Sequence, residues 1–247
     1  MAARPLEYTQ KTQKGCDSAC QSICFKYPFE VTEIYRILVT MPLPGAFDLV
    51  WRELERYGLL LLTDRKLPSV AGLIAGGPIR GSWWGHPRGK EIYAVSEELA
   101  SRPDVLLTKL VSRKVTFVHR ALWPSLYSVA CSHQTWQVGS LMPATRALFE
   151  RIESEGELRS DLLDKGPKKE TGKNLLELEW RLLVHTKSVH TEDGSHAKAV
   201  ESWRHWHARV GLLEPIPEVG RARKLLEDRA AALSGASKES ARLPWMS

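Results

Sequence analysis

VHTKSVHTEDGSHAKAVESWRHWH, residues 184–207, holds five of the chain's eight histidines. Two readings compete for it, and they lead to different folds. As a metal or general-base site it lacks convergence. His185, His190 and His196 are spaced by five and six residues with no cysteine nearby, and His205 and His207 would point to different faces of a helix. As a β-hairpin it is consistent throughout. Asp193-Gly194 is a turn pair of the kind that closes hairpins. Alternation puts His185 and Lys187 on one face and Thr186 and Ser188 on the other, with His196 and Lys198 outward if Ala197 and Ala199 pack inward. ESWRHWH then reads as an exit helix carrying Trp203 and Trp206.

The text before the hairpin is helical. PATRALFERIESEGEL has proline near its first turn, an inner stripe of Ala144, Leu148 and Ile152, and Gly156 as its end. RSDLLDKG predicts a helix of one to two turns with Ser160 as N-cap. KKETGKNLLELEWRLLV predicts a third, with Leu175, Leu178 and Leu182 inward. Helix, short helix, longer helix and hairpin is the order of a winged helix-turn-helix. The expected fold is therefore mainly α with small β-wings (α+β), in tandem winged helix-turn-helix-like units.

Upstream, residues 1–27 read as a flexible tail, 28–140 as an N-terminal helical, winged-helix-like domain, 141–210 as the C-terminal winged helix and 211–247 as a charged tail that frays from a surface helix. PFEVTEIYRILVTM and PGAFDLVWRELERYG carry helix stripes, and Gly58 sits at a C-cap position. LLLLT reads as a short strand or buried connector. Asp104 is placed to cap a helix running through Leu110, Lys114–Phe117 looks extended, and Ala121–Ala130 helical. No repeat recurs at a fixed period.

The net charge of +6 and pI near 9.2 favour anionic partners, nucleic acid first. No run approaches a membrane helix and the first residues lack an apolar leader core. Four cysteines without a leader point to a reducing compartment, hence a cytoplasmic protein, nucleoid-associated if bacterial. Cys16, Cys20 and Cys24 follow C-x3-C-x3-C, which neither zinc ribbons nor ferredoxin-type clusters use; buried helix residues are the simpler reading, with a site completed in space by Cys131 and His133 as the alternative. Gly81, Gly85 and Gly89 do not form a phosphate loop, since Lys90 is followed by glutamate. No cofactor motif and no metal site is expected. There is no Gly-x-Ser-x-Gly elbow. Trp83-Trp84, flanked by Arg80, His86 and Arg88, reads as a turn with two packed rings or as a stacking platform for bases.

For binding of double-stranded DNA the residues converge on the third helix. Lys165, Lys168, Lys169 and Lys173 surround its start, where oriented N–H groups also attract phosphate. Asn174, Glu177 and Arg181 would share an outward face able to read bases. Lys187, His190, His196 and Lys198 are the wing residues that would approach the backbone. The bland alternative is a solvated lysine loop on a module that meets a protein partner.

LLTKLVSRKVTFVHRALWPSLYSVA, with its K-x-T-F strand and Pro-x-x-Tyr helix, followed by LLELEWRLLVHTKSV, a glycine turn and ESWRHW, resembles proteins related to the AlkZ-like DNA glycosylase family over about residues 67–207. The resemblance implies winged-helix units associated with DNA, in repair or regulation. The glycosylase branch carries a Gln-x-Asp or Gln-x-Gln motif at its active site. Here Gln10/Gln13 and Gln134/Gln137 are three apart, so the cleaving residues cannot be carried over. This counts against catalysis, leaving excision of alkylated or crosslinked bases as the enzyme alternative.

Overall fold

Apolar stripes and turn chemistry set the elements. The computed structural model describes residues 45–161, 168–190, 196–235 and 240–246, without the side chains of Lys168, Lys169, His190 and His196. The helix expected in 28–41 and the three clustered cysteines lie outside the described residues. All described residues belong to one compact unit, Pro42–Ser247.

Helix α1 (Ala46–Tyr57) buries Ala46, Val50 and Leu54, spaced by one turn each. It stops at Gly58, whose φ of 74° is left-handed. A Cβ there would also meet Leu122 Cδ1 at 2.7 Å, so both conformation and space require glycine. Strand β1 (Leu59–Leu61) follows, then α2 (Val70–Ala75), capped by Ser69 Oγ accepting from the Gly72 N–H at 3.1 Å. A turn of 3-10 helix at Trp83–Gly85 leads to α3 (Gly89–Ser101). Strands β2 (Val105–Lys109) and β3 (Val115–His119) close an antiparallel sheet of order β1-β3-β2.

The helix expected from Asp104 to Leu110 is thus a strand. Val105 and Leu106 are both buried, on opposite faces, which is how a sheet covered on both sides reads; a helix would show one stripe. Asp104 does not cap. Its carboxylate takes two bonds of 2.8 Å from Arg102.

Helices α4 (Trp123–Ala130) and α5 (Thr135–Val138) lead to α6 (Pro143–Glu155), β4 (Glu157–Arg159), α7 (Lys168–Trp180), β5 (Val184–His190) and β6 (His196–Ser202). The short helix expected after Ser160 falls largely outside the described residues. The second sheet is antiparallel with order β4-β6-β5. The first copy runs helix, strand, two helices and hairpin, and the second runs helix, strand, helix and hairpin among the described residues; in both sheets the first strand lies beside the third. The architecture is α+β.

Each copy has its own buried cluster: Leu54, Ile74, Ile92 and Phe117 in the first, Ile152, Leu178, Leu183 and Val200 in the second. A third cluster draws on both. It gathers Leu59, Leu122 and Leu126 with Leu182, Trp203 and Trp206, the last two from α8 (Trp203–Val210). Into it also packs α9 (Val219–Ser234), through Ala222, Leu226, Ala230 and Leu233. The charged stretch from Arg221 is thus no fraying surface helix. One stripe of it is core, and Ala241 and Leu243 return to the same cluster.

Candidate nucleic-acid interface

Helix α7 ends one turn earlier than its apolar text suggests. Leu182 adopts φ 51°, the Leu182 N–H bonds the Glu179 carbonyl at 3.1 Å and the Leu183 N–H bonds the Leu178 carbonyl at 2.9 Å. This is a Schellman stop with leucine where glycine is usual; full burial of the Leu182 side chain offsets the left-handed strain, about 1 kcal/mol.

That stop decides where Arg181 goes. It lies past the helix, and its guanidinium donates to the carbonyls of Trp136 (2.8 Å) and Gln137 (3.2 Å), to Ser140 Oγ (2.9 Å) and to Glu177 Oε1 (3.0 Å). Asn174 and Glu177 are turned toward α6, where buried Thr145 directs its hydroxyl to Asn174 Oδ1 (3.2 Å) and Glu177 Oε2 (3.4 Å). These three side chains have internal partners, and none stands alone on an open helix face. Arg181→Ala should accordingly destabilise by about 2–3 kcal/mol through the carbonyls it abandons. A urea titration reads this directly, and a loss under 0.5 kcal/mol would mean the arginine is free for other work.

At the other end of α7 the picture is different. Lys173 is exposed and forms no ion pair among the described residues. Lys168 and Lys169 begin the helix, their side chains outside the described residues, as is Lys165. Glu179, near the helix end, is buried and holds Lys109 of β2 at 2.8 Å, Lys198 of β6 at 3.6 Å and the Thr186 hydroxyl at 2.7 Å. It joins the two copies and also restrains one wing lysine. Lys187 is likewise paired, to Glu157 Oε2 at 2.7 Å. The backbones of His190 and His196 pair in register at the end of the described hairpin.

The hairpin's strongest chemistry faces inward. His185 lies opposite Glu201, and both are buried. His185 Nδ1 is 2.9 Å from Glu201 Oε1 and Nε2 is 3.2 Å from the Leu107 carbonyl oxygen. Arg209 donates to both Glu201 oxygens, at 3.0 and 2.5 Å. Burial pushes the Glu201 carboxyl up, but the hydrogen bonds from His185 and Arg209 outweigh it and hold it at about 2. Single-residue reading missed this group; the signal for it is hairpin register, which sets residue 185 against 201.

Glu157, Glu201 and His205 offer ligand atoms all within 4.8 Å of one another. They are the metal-competent grouping among the described residues, yet both Glu201 oxygens already accept from Arg209. Cys131 is a free thiol whose burial raises it to about 11, so it offers no thiolate at neutral pH. His133 lies edge-on to Phe149 at 5.4 Å. Gln134 and Gln137 form a capping box on α5. Buried Gln137 also donates to the carbonyls of Ala130 (3.0 Å) and Arg181 (3.2 Å). The glutamine pair is structural.

No family model, curated protein or solved structure matches the chain.

Proposed function

We propose that this protein binds double-stranded DNA through a winged-helix arrangement in its second copy, with the first turn of α7 against the duplex and the β5–β6 hairpin as the wing. The observation that supports the reading is the element order α6, β4, α7, β5, β6 with sheet order β4-β6-β5, which fits a winged helix whose turn helix would fall in the residues between β4 and α7. The first copy, α1, β1, α2, α3, β2 and β3 with sheet order β1-β3-β2, supports a tandem reading. The resemblance to proteins related to the AlkZ-like glycosylases supports a repair or regulatory setting.

Within this reading the contact residues divide by their partners. Lys168, Lys169 and Lys173 supply phosphate contacts at the helix start, where the oriented N–H groups of a helix end add to the attraction. His190 and His196 sit at the wing tip. Lys187 and Lys198 serve as wing cations only by leaving Glu157 and Glu179, and Asn174, Glu177 and Arg181 set the helix in place. Binding of this kind is dominated by phosphate and weakly selective for sequence. The reading is of a binding protein, since the glutamines nearest to the glycosylase pattern close a capping box.

The test is a gel-shift titration with random duplex at low salt, comparing wild type with the Lys168/Lys169/Lys173→Glu triple variant. Wild type should bind in the micromolar range or tighter and the variant at least tenfold more weakly. Equal binding by the two would remove α7 from the interface.

A further inference from the structure

The connector that precedes α3 carries an aromatic surface that the duplex reading does not use. Trp83 and Trp84 stack with ring centroids 4.1 Å apart and planes 24° apart. Tyr93, from the first turns of α3, packs against Trp84 with centroids 5.4 Å apart and its ring tilted by 38°. Trp83 packs on the core of the first copy, whereas Trp84 is 64% exposed and Tyr93 40%. Single exposed rings are ordinary, but three contiguous rings with the outermost in water are a binding surface by default.

The platform is held rigid. Gly89 lies so close to the carbonyl oxygens of Trp83 and Trp84 that a Cβ would meet them at 2.9 and 3.1 Å. Arg88 ties the turn down, donating to the Ile74 carbonyl and, at 2.6 Å, to Glu91. The His86 N–H bonds the Trp83 carbonyl at 3.0 Å. The rings are therefore placed before any ligand arrives, which lowers the ordering cost of binding.

Charge selects the occupant. Arg65, Arg80 and Lys90 are exposed and have no acidic partner among the described residues. Arg80 is on the same connector, and Lys90 is one turn from Tyr93 on the same face of α3. Arg65 and Arg80 line one shallow cleft with Pro78 and Ile79. Glu97, one turn beyond Tyr93 and exposed, bounds the basic side. An exposed tryptophan face with cations a few residues away in the chain matches a nucleobase and its neighbouring phosphates, and a base offers its face only when unpaired.

We propose that Trp84, backed by Trp83 and Tyr93, stacks an unpaired nucleobase of a single-stranded nucleic acid, with Arg80 and Lys90 on the flanking phosphates. This site is independent of the duplex contact at α7. The test is fluorescence anisotropy of labelled oligo(dT), oligo(U) and a blunt DNA duplex against the full chain. Trp84→Ala should weaken binding to the single strands by roughly 5- to 150-fold and leave the duplex unchanged, while Trp84→Phe retains most of it. Arg80→Glu should also weaken single-strand binding. The lysine triple variant of α7 should do the reverse, so failure of one reading leaves the other standing. The arm that binds tighter, oligo(dT) or oligo(U), identifies DNA or RNA as the source of the base. Trp84 is exposed, so unchanged thermal unfolding is expected. Wild-type single-strand affinity in the Trp84→Ala variant, or no single-strand binding at all, would overturn the proposal.

Discussion

Glu201→Ala should lower the unfolding free energy by about 3–5 kcal/mol. The carboxylate is fully buried and faces His185 and the Arg209 guanidinium. Removing it leaves buried His185 without its carboxylate, the half-exposed Arg209 head without its anchor, and the two hairpin arms without their polar tie. A pair replaced as a whole by apolar groups can be neutral; a pair broken on one side is not. The same group sets an acid limit. Its carboxyl is held at about 2 against an ordinary 4.5, so the folded state keeps the proton off over a range where the unfolded chain takes it up. The sign follows. Its contribution is complete above pH ~4.5, and falls away as pH drops from ~4.5 towards 2, amounting to about 3 kcal/mol. Urea titrations of wild type and Glu201→Gln across that range should converge as pH falls. A Glu201→Ala cost below 1 kcal/mol, or parallel pH curves, would show that the carboxylate is not ion-paired in solution.

Removal of residues 218–247 should abolish folding of the remaining chain. Helix α9 packs against α4, α1 and β1, and Leu226 and Ala222 have no exposed surface. Without it Leu59, Leu122 and Leu126 lose their cover, a loss of several large apolar contacts against a net stability of about 5–15 kcal/mol. The graded version is Leu226→Ala, which should cost about 2–5 kcal/mol. Circular dichroism and thermal melts measure both. A truncated chain with wild-type cooperativity would make the helix an appendage.

α9 looked like solvated tail because its stripe is alanine-rich. Ala222 and Ala230 carry little hydrophobic signal, and burial of so thin a face depends on the partner surface of α4. The strand Val105–Lys109 was hidden by an apolar run that periodicity alone cannot assign. The hairpin was legible, because its turn pair and flanking helices agree, but its register was not. A two-residue turn at Asp193-Gly194 would set His185 against Ser202, whereas the observed pairing sets it against Glu201. That one-residue difference separates a surface histidine from a buried ion network. For the interface, the lysines around the start of α7 were legible as composition. The fate of Arg181 was not, since it depends on a leucine stopping the helix in a conformation favoured by glycine. The two units were expected from element order alone, since the doubling repeats connectivity and not residues.

The central claim is duplex binding through the first turn of α7. The most direct measurement is the dependence of the duplex association constant on salt for wild type and for Lys168/Lys169/Lys173→Gln. Each phosphate contact contributes about 0.9 to the slope of log K against log salt, so loss of three should make it shallower by about 2.7. A slope difference near that value places the lysines on the phosphates. Identical slopes would contradict the account.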